Sequence, residues 1–491
     1  MTTATGVEYE TVIGIEVHAQ LLTRSKMFCS CSTPTLESPP NTHVDPVCLG
    51  MPGVLPVINA RAVDLTIMTG LALNCQIASE AKFDRKNYHY PDLMKGYQVS
   101  EYDLPICVNG WIDIEVGSET KRIGITRVHL EEDTARLQHQ TDPATGETYS
   151  LIDVNRAGLP LMEIVSEPDV RSAEEARAYL QKLRQILRYI GASRANMEEG
   201  NMRCEPNVSI RPVGRTEFGQ KVELKNINSF KHAYDAVRFE EKRQAEVLNS
   251  GGTVIQETRG WREDTNQSVP QRTKEGAEDY RYFPEPDLPP LAISADWVQR
   301  IRETMPELPD AKRLRFEEQY GLSGYDARIL ADSRTRADFF EETVSVAGNQ
   351  RAKIVANWIN GDLARLLNAA NKKIQDSRIT PGALAELIGL QEAGTISGKT
   401  AKGVFEQMFS AGDSPGSIVE KQGLGQIESG DEVSAAIVKV IAANEKAVQD
   451  YRAGKDEAIK FLVGQVMKET RGRARPDVAA DLLRQKLGEQ A

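Results

Sequence analysis

Between Val12 and Leu21 apolar and polar side chains alternate. Ile13, Ile15, Val17 and Ala19 fall on one side of an extended chain, and Gly14, Glu16, His18 and Gln20 on the other. This predicts a strand with one face in a core and the other carrying a carboxylate and an imidazole. From Val12 to about Asp287 the pattern stays strand-rich, punctuated by Gly and Pro. Arg122–Leu130 is a β-branched run ending in Glu131, Glu132 and Asp133, and Leu151–Val165 follows. Helical period first appears after Ser172, which with Glu175 forms a capping box. Ala176, Leu180, Leu183, Leu187 and Ile190 make the apolar stripe, closed by Gly191. A strand pair is expected in Asn207–Arg211 and Val222–Asn226, then a helix over about Phe230–Leu248, stopped at Gly251-Gly252. Strands interrupted by single helices, without a βαβ rhythm, predict an α+β domain on a largely antiparallel sheet.

Beyond the proline-rich turn Pro284–Pro290 the period becomes helical from Asp296 onward. Thr380-Pro381 reads as a helix start, Thr as cap and Pro at the first position. A Gly/Ser-rich break lies near Ser414–Gly430, and about Asp431–Ala491 is short, helical and locally basic. No internal repeat is evident. The 491 residues exceed one typical core, so two to three domains are expected.

Composition narrows the class. Apolar residues at 40% with 27% charged describe a folded chain. The net charge of −11 argues against a generally basic nucleic-acid surface and leaves room only for local clusters. The N-terminal MTTATGVEYE has no basic segment and no apolar core, and no run approaches the ~18 apolar residues of a membrane span. A cytoplasmic protein is expected. Six cysteines are too sparse for a disulfide scaffold.

Acidic residues carry the first candidate chemistry. Glu131 and Glu132 end a strand, Glu163 interrupts the apolar run LPLMEIVSEPD, and Glu205 shares a strand face with Asn207, Ser209 and Arg211. A carboxylate within an apolar run needs a partner, either a divalent cation or an arginine. With Glu16 and His18 these residues form a candidate oxygen and imidazole set for a Mg²⁺ site that also holds a nucleotide phosphate. In Ala81–Gln98, Lys82, Arg85, Lys86 and Lys95 alternate with Phe83, Tyr88, Tyr90 and Tyr97. That suits base stacking and phosphate contact, or equally a loop propped on the sheet by its tyrosines. Cys29, Cys31 and Cys48, with Asp45 where a fourth thiol would stand, form either a degenerate zinc site or unconnected thiols. Cys75, Cys107 and Cys204 read as structural.

Gly394–Thr400, GTISGKT, is one residue short of a phosphate-binding loop and lacks a preceding strand, so Ser397-Gly398 is read as a helix start. In the tail, Phe461, Leu462, Val466 and Met467 make an apolar face, followed by Lys468, Arg471, Arg473 and Arg475. Pro476 then interrupts, and Asp477–Leu487 resumes as helix. A basic loop between two helices can dock a phosphate backbone, or be a solvated hairpin.

The segments YETVIGIEVHAQL, KFDRKNYHYPD, HLEED, LMEIVSEPD, VELKNINSF and DYRYFPEPDLPP resemble the signature segments of the GatB family, the B subunits of the aspartyl/glutamyl-tRNA amidotransferases. The likeness runs from about residue 9 to the tail, FLVGQVMKETRGRARPDVAADLLRQKL. It implies a cradle domain (1–296), a helical domain (297–425) and a tail that grips tRNA (426–491). It implies a heterotrimer with the family's A and C subunits. The GatB-type chain would phosphorylate the side-chain carboxylate of Glu on misacylated tRNA-Gln, or of Asp on tRNA-Asn, using ATP and Mg²⁺. Ammonia channelled from the glutaminase, which is the A subunit, would then give the amide. By resemblance the metal and kinase positions fall on Glu16, His18, Glu132 and Glu163, and the channel positions on Lys86, Lys95 and Glu132. A further metal-side position, usually Asp, is Glu205 here. The family's zinc knuckle has four cysteines, and Asp45 in place of one puts Zn²⁺ in doubt. The chain has no amidase-type Ser-Gly-rich motif and no N-terminal Cys nucleophile, in keeping with a separate source of ammonia.

Overall fold

A computed structural model describes residues 7–33, 38–273, 277–425, 430–455, 457–470 and 473–489. The chain forms two compact units, Met1–Leu308 and Pro309–Ala491. The architecture is α+β: a strand-rich first unit and a helical second.

The first unit is organised on β1 (Tyr9–Gln20). The other strands around the polar face are β2 (Phe83–Asn87), β3 (Tyr97–Glu101), β4 (Glu119–Glu132), β5 (Pro160–Ser166), β6 (Met202–Pro212) and β7 (Val222–Lys225). Their order across the sheet is β7-β6-β1-β5-β4-β3-β2. Glu257–Arg262 and Gln267–Thr273 extend it beyond β7, Phe283–Pro284 extends it beyond β2, and Cys107–Val116 also pairs with β4. Among the described residues every ladder of this sheet is antiparallel except the one between β7 and Glu257–Arg262.

The alternation in β1 sorts its side chains. Ile13, Ile15, Val17 and Ala19 are almost fully buried in one apolar cluster, while Glu16, His18 and Gln20 on the other face stay half-buried. The core face is covered by α1 (Ala60–Ala72), α2 (Ala173–Tyr189) and α3 (Phe230–Asn249). Ser172 caps α2 by accepting from the Glu175 amide at 3.1 Å, and the Glu175 carboxylate accepts from the amide of Arg171 rather than that of the cap residue. The stripe from Ala176 to Ile190 is buried, and Gly191 leaves the helix at φ +70°, a left-handed conformation that glycine adopts without strain.

In the second unit one apolar cluster runs from Phe316 to Val419 and another from Val433 to Leu487. Thr380 caps Pro381–Glu392, and Ser397 caps Gly398–Ala411 by accepting from the Thr400 amide at 3.2 Å. The phosphate-loop lookalike is therefore a helix start. Among the described residues no helix is long and apolar enough to cross a membrane.

Candidate active site

Directly opposed residues of antiparallel strands project to the same face. His18 on β1 lies opposite Glu163 on β5 and Arg203 on β6, Glu163 lies opposite His129 on β4, and Glu16 lies opposite Glu205. Register alone thus collects residues that are far apart in the chain into one polar patch. His18 Nε2 is 3.5 Å from Glu131 Oε1 and 3.7 Å from Glu163 Oε2. Arg127 Nε donates to His129 Nδ1 (3.4 Å), which assigns the ring proton to Nε2, and Nε2 meets Glu163 Oε2 at 3.2 Å. Asp133 is buried at the end of the face, bound by Arg203 (2.8 Å) and Gln20 (2.7 Å).

Two ligand sets emerge. His18, Glu131 and Glu163 form one, and Glu16, Glu205 and Glu223 the other, with the ligand atoms of each set within 4.8 Å of one another. Lys225 pairs with Glu205 at 2.8 Å, and Asn207 donates to Glu16 at 3.1 Å. Oxygen-rich sets with one imidazole suit a hard divalent cation.

Electrostatics separate the two carboxyls beside His18. Burial, reinforced by the charge of Glu163, pushes Glu131 up to about 8 against the pull of Lys86 and Arg203. Burial also opposes ionisation of Glu163, but His129, His18 and Lys86 outweigh it and hold this carboxyl well below its usual range. Burial lowers His18 despite Glu163 and Glu205. The two carboxyls are thus driven apart, Glu131 towards holding its proton and Glu163 towards ionisation.

The structure does not bring Glu132 to His18. Consecutive strand residues point to opposite faces, so β4 delivers Glu131 to the acidic set and sends Glu132 the other way. There Glu132 pairs with Lys95 and accepts from the Val99 amide at 3.0 Å. Lys95 also lies over the rings of Phe28 (5.5 Å) and Tyr97 (5.4 Å). Lys86 stands apart from that pair, over Tyr280 (4.8 Å) and Tyr88 (5.8 Å). Burial works against its charge, but Tyr282, Glu131, Tyr88 and Glu163 keep its ammonium above the ordinary lysine range. The rest of the basic and aromatic stretch is largely turned inward. Phe83 is core, Arg85 is bidentate to Glu285 at 2.7 Å, and Lys82 pairs with Asp84 and Asp103.

Sequence reasoning passed over His129, Arg203, Glu223 and Lys225. The alternation that pairs Glu16 with His18 also pairs His129 with Glu131, and Glu223 with Lys225 in VELKN, so the signal was present. Which strands are neighbours is what the pattern lacks.

The Cys29, Cys31 and Cys48 sulfurs and the Asp45 carboxylate also lie within 4.8 Å of one another. Asp45 Oδ1 accepts from the amides of Val47 (2.9 Å) and Cys48 (3.0 Å), and Lys26 Nζ approaches Cys48 Sγ at 3.5 Å. A hydrogen bond from Cys29 holds the Cys48 thiol down to about 6. Thiolate and carboxylate are both zinc ligands, so these residues fit the ion. Cys75, Cys107 and Cys204 are buried in the core as free thiols.

In the tail, Leu462 and Val466 are buried between Glu457–Glu469 and Pro476–Glu489, whereas Phe461 is exposed. Lys468 is exposed, Arg475 pairs with Asp477 at 2.6 Å, and Arg473 reaches the Gly423 carbonyl at 3.4 Å. Arg471 lies outside the described residues.

Residues 11–299 match the model of the GatB/GatE catalytic domain, and residues 338–487 match that of the GatB domain. The chain is 55% identical over 480 residues to the aspartyl/glutamyl-tRNA(Asn/Gln) amidotransferase B subunit of Carboxydothermus hydrogenoformans, covering 98% of this chain and 99% of that one. It is 54% identical over 490 residues to the same protein of Dehalococcoides mccartyi, covering 98% and 99%. It is also 54% identical over 481 residues to that of Caldanaerobacter subterraneus subsp. tengcongensis, covering 98% and 100%. With its polar sheet face assembled from the same segments that match, the chain belongs to the GatB family, the B subunits of the aspartyl/glutamyl-tRNA amidotransferases.

Proposed function

We propose that this chain carries out the activation and amidation steps of a tRNA-dependent amidotransferase. The side-chain carboxylate of Glu on tRNA-Gln, or of Asp on tRNA-Asn, is phosphorylated by ATP and then attacked by ammonia from a partner glutaminase. A carboxylate does not expel oxide, and phosphorylation supplies the leaving group. The observation that carries this reading is the pair of acidic ligand sets side by side on one sheet face. Glu16, His18, Glu131, Glu163, Glu205 and Glu223 are the residues that would hold Mg²⁺, which when bound screens the charge of the transferred phosphoryl group.

The chain's own groups have separable roles. His129 orients Glu163 through its Nε2 proton. Lys86, caged by tyrosine rings, keeps a fixed positive charge beside the acidic face. Asp133 holds Arg203 at its edge. Lys95 and Glu132, on the other side of β4, belong to nitrogen delivery rather than to phosphoryl transfer. Lys468, Arg471, Arg473 and Arg475 dock the tRNA backbone, in a tail domain of residues 426–491 that follows a cradle (1–296) and a helical domain (297–425).

The test reconstitutes the chain with the A and C subunits and supplies Glu-tRNA-Gln or Asp-tRNA-Asn, ATP and Mg²⁺, with glutamine or ammonium chloride as nitrogen source. Formation of ADP should require the misacylated tRNA and vanish in Glu163→Gln. Glu132→Gln should keep tRNA-dependent ADP formation and lose glutamine-driven amide product. Intact tRNA binding without ADP formation by the unaltered complex would make the acidic face architectural and the chain a scaffold.

A further inference from the structure

The cysteine cluster lies directly behind the Lys95–Glu132 pair. Phe28, next to Cys29, supplies the ring under the Lys95 ammonium at 5.5 Å. Gly50, two residues after Cys48, packs its backbone on the stem of Lys95. A Cβ added there would lie 2.8 Å from Lys95 Cγ and 3.1 Å from its amide nitrogen, and φ is +66°. Gly158 completes the seat: a Cβ there would meet Cys48 Cβ at 3.6 Å, Lys26 Cδ at 3.7 Å and Glu132 Oε2 at 4.0 Å. The first cluster segment is tied to this seat by the Met27 amide, which donates to the Gly158 carbonyl (2.7 Å), while the second is closed on itself by the Gly50 amide donating to the Val47 carbonyl (3.0 Å). Lys26, only 1% exposed, bridges Cys48 Sγ (3.5 Å) and the Val154 carbonyl (3.2 Å), placing a positive charge against the anionic ligands.

We propose that the Cys29–Cys31–Asp45–Cys48 cluster is a positioning site for Lys95 and Glu132. A thiophilic divalent cation held there ties segment 26–31 to segment 45–50, and those segments form the seats of both side chains. The ligand set joins two stretches of chain that are separate in sequence: the first is anchored in the core by Met27 and Phe28, whereas Leu49 and the neighbouring Met51 leave the second largely exposed. Cross-linking the second segment to the anchored first restricts its motion. The consequence for nitrogen delivery rests on the role proposed above for Lys95 and Glu132, whereas the positioning itself does not.

The test therefore needs neither tRNA nor ATP. Co²⁺ is added to the chelator-stripped full-length chain, and the thiolate-to-cobalt absorption band is recorded with amide exchange at Met27, Gly50 and Val99. The Val99 amide donates to Glu132 and so reports its carboxylate. One bound Co²⁺ with sulfur ligation should slow exchange at all three amides about tenfold, equivalent to roughly 1.4 kcal/mol of local opening. Val17 in the central strand should not change. Cys31→Ala should lose both the band and the protection, and Cys31→His, which restores a zinc-type ligand, should recover both. Absence of the band, or a band with unaltered exchange at Gly50 and Val99, overturns the proposal. Where Cys31→Ala also loosens Val17, the comparison of stripped and loaded unaltered chain decides.

Discussion

Glu101 offers a sharp test of the electrostatics of the first unit. Its side chain is 2% exposed; Oε2 accepts from the amides of Ile106 (3.2 Å) and Leu130 (3.1 Å), and Oε1 is buried without a hydrogen-bond partner among the described residues. Burial outweighs the two amides and raises the carboxyl from 4.5 to about 8, with Asp84 adding to the effect. The folded chain then keeps a proton that the unfolded chain releases above pH ~4.5. Stability from this group is fully present below that pH, falls as pH rises, and is lost once pH passes about 8. The span between the two values corresponds to about 5 kcal/mol. Glu101→Gln keeps the shape and an oxygen for both amides but carries no proton to lose, so its stability should not vary with pH through this site. The difference between the two proteins should change by several kcal/mol between pH 5 and pH 8, with the glutamine variant gaining at the alkaline end. Urea unfolding in a Trp358→Phe background leaves Trp111, Trp261 and Trp297 to report the first unit. Parallel stability curves for the two proteins from pH 5 to 8 would refute the reasoning.

Two further outcomes follow from charged side chains, one in the sheet and one set in the tail. Asp133→Ala leaves Arg203 and Arg156 facing each other without their shared carboxylate and should cost about 3 kcal/mol in the same urea assay. The figure sits at the low end for a broken buried pair because the Arg203 side chain stays 37% exposed. Replacing Lys468, Arg473 and Arg475 by Gln should weaken tRNA binding and reduce its salt dependence by about one unit of slope per lost phosphate contact, read from binding titrations at several salt concentrations.

The alternation around Glu16 and His18 was enough to orient β1, and the Ser172, Thr380 and Ser397 caps fixed three helix starts from side-chain chemistry within one turn. Those features are local, so the sequence carries them plainly. The assignment of Glu132 to the metal positions came from the resemblance; in the folded chain strand parity brings Glu131 to His18 and Glu132 to Lys95. The basic and aromatic stretch divided only in the folded chain, because the partners that turn Arg85 and Lys86 inward, Glu285 and Tyr280, lie about 200 residues downstream. His129 and Glu223 escaped notice for the same reason: their neighbours are set by which strands meet, and no short window contains that.

The adjacent glutamates of β4 give the strand something like a reading frame. Deleting one residue just before His129 would exchange the sides of everything beyond it, bringing Glu132 to His18, Asp133 to Lys95 and Glu131 to the place of the core residue Leu130. Deleting two would shorten the strand and leave the sides as they are. In the function proposed here, activation and nitrogen delivery are separated by the thickness of one backbone. The spacing between them is held by the odd or even count of residues from the β4 turn, a property that a comparison of residue identities alone does not register.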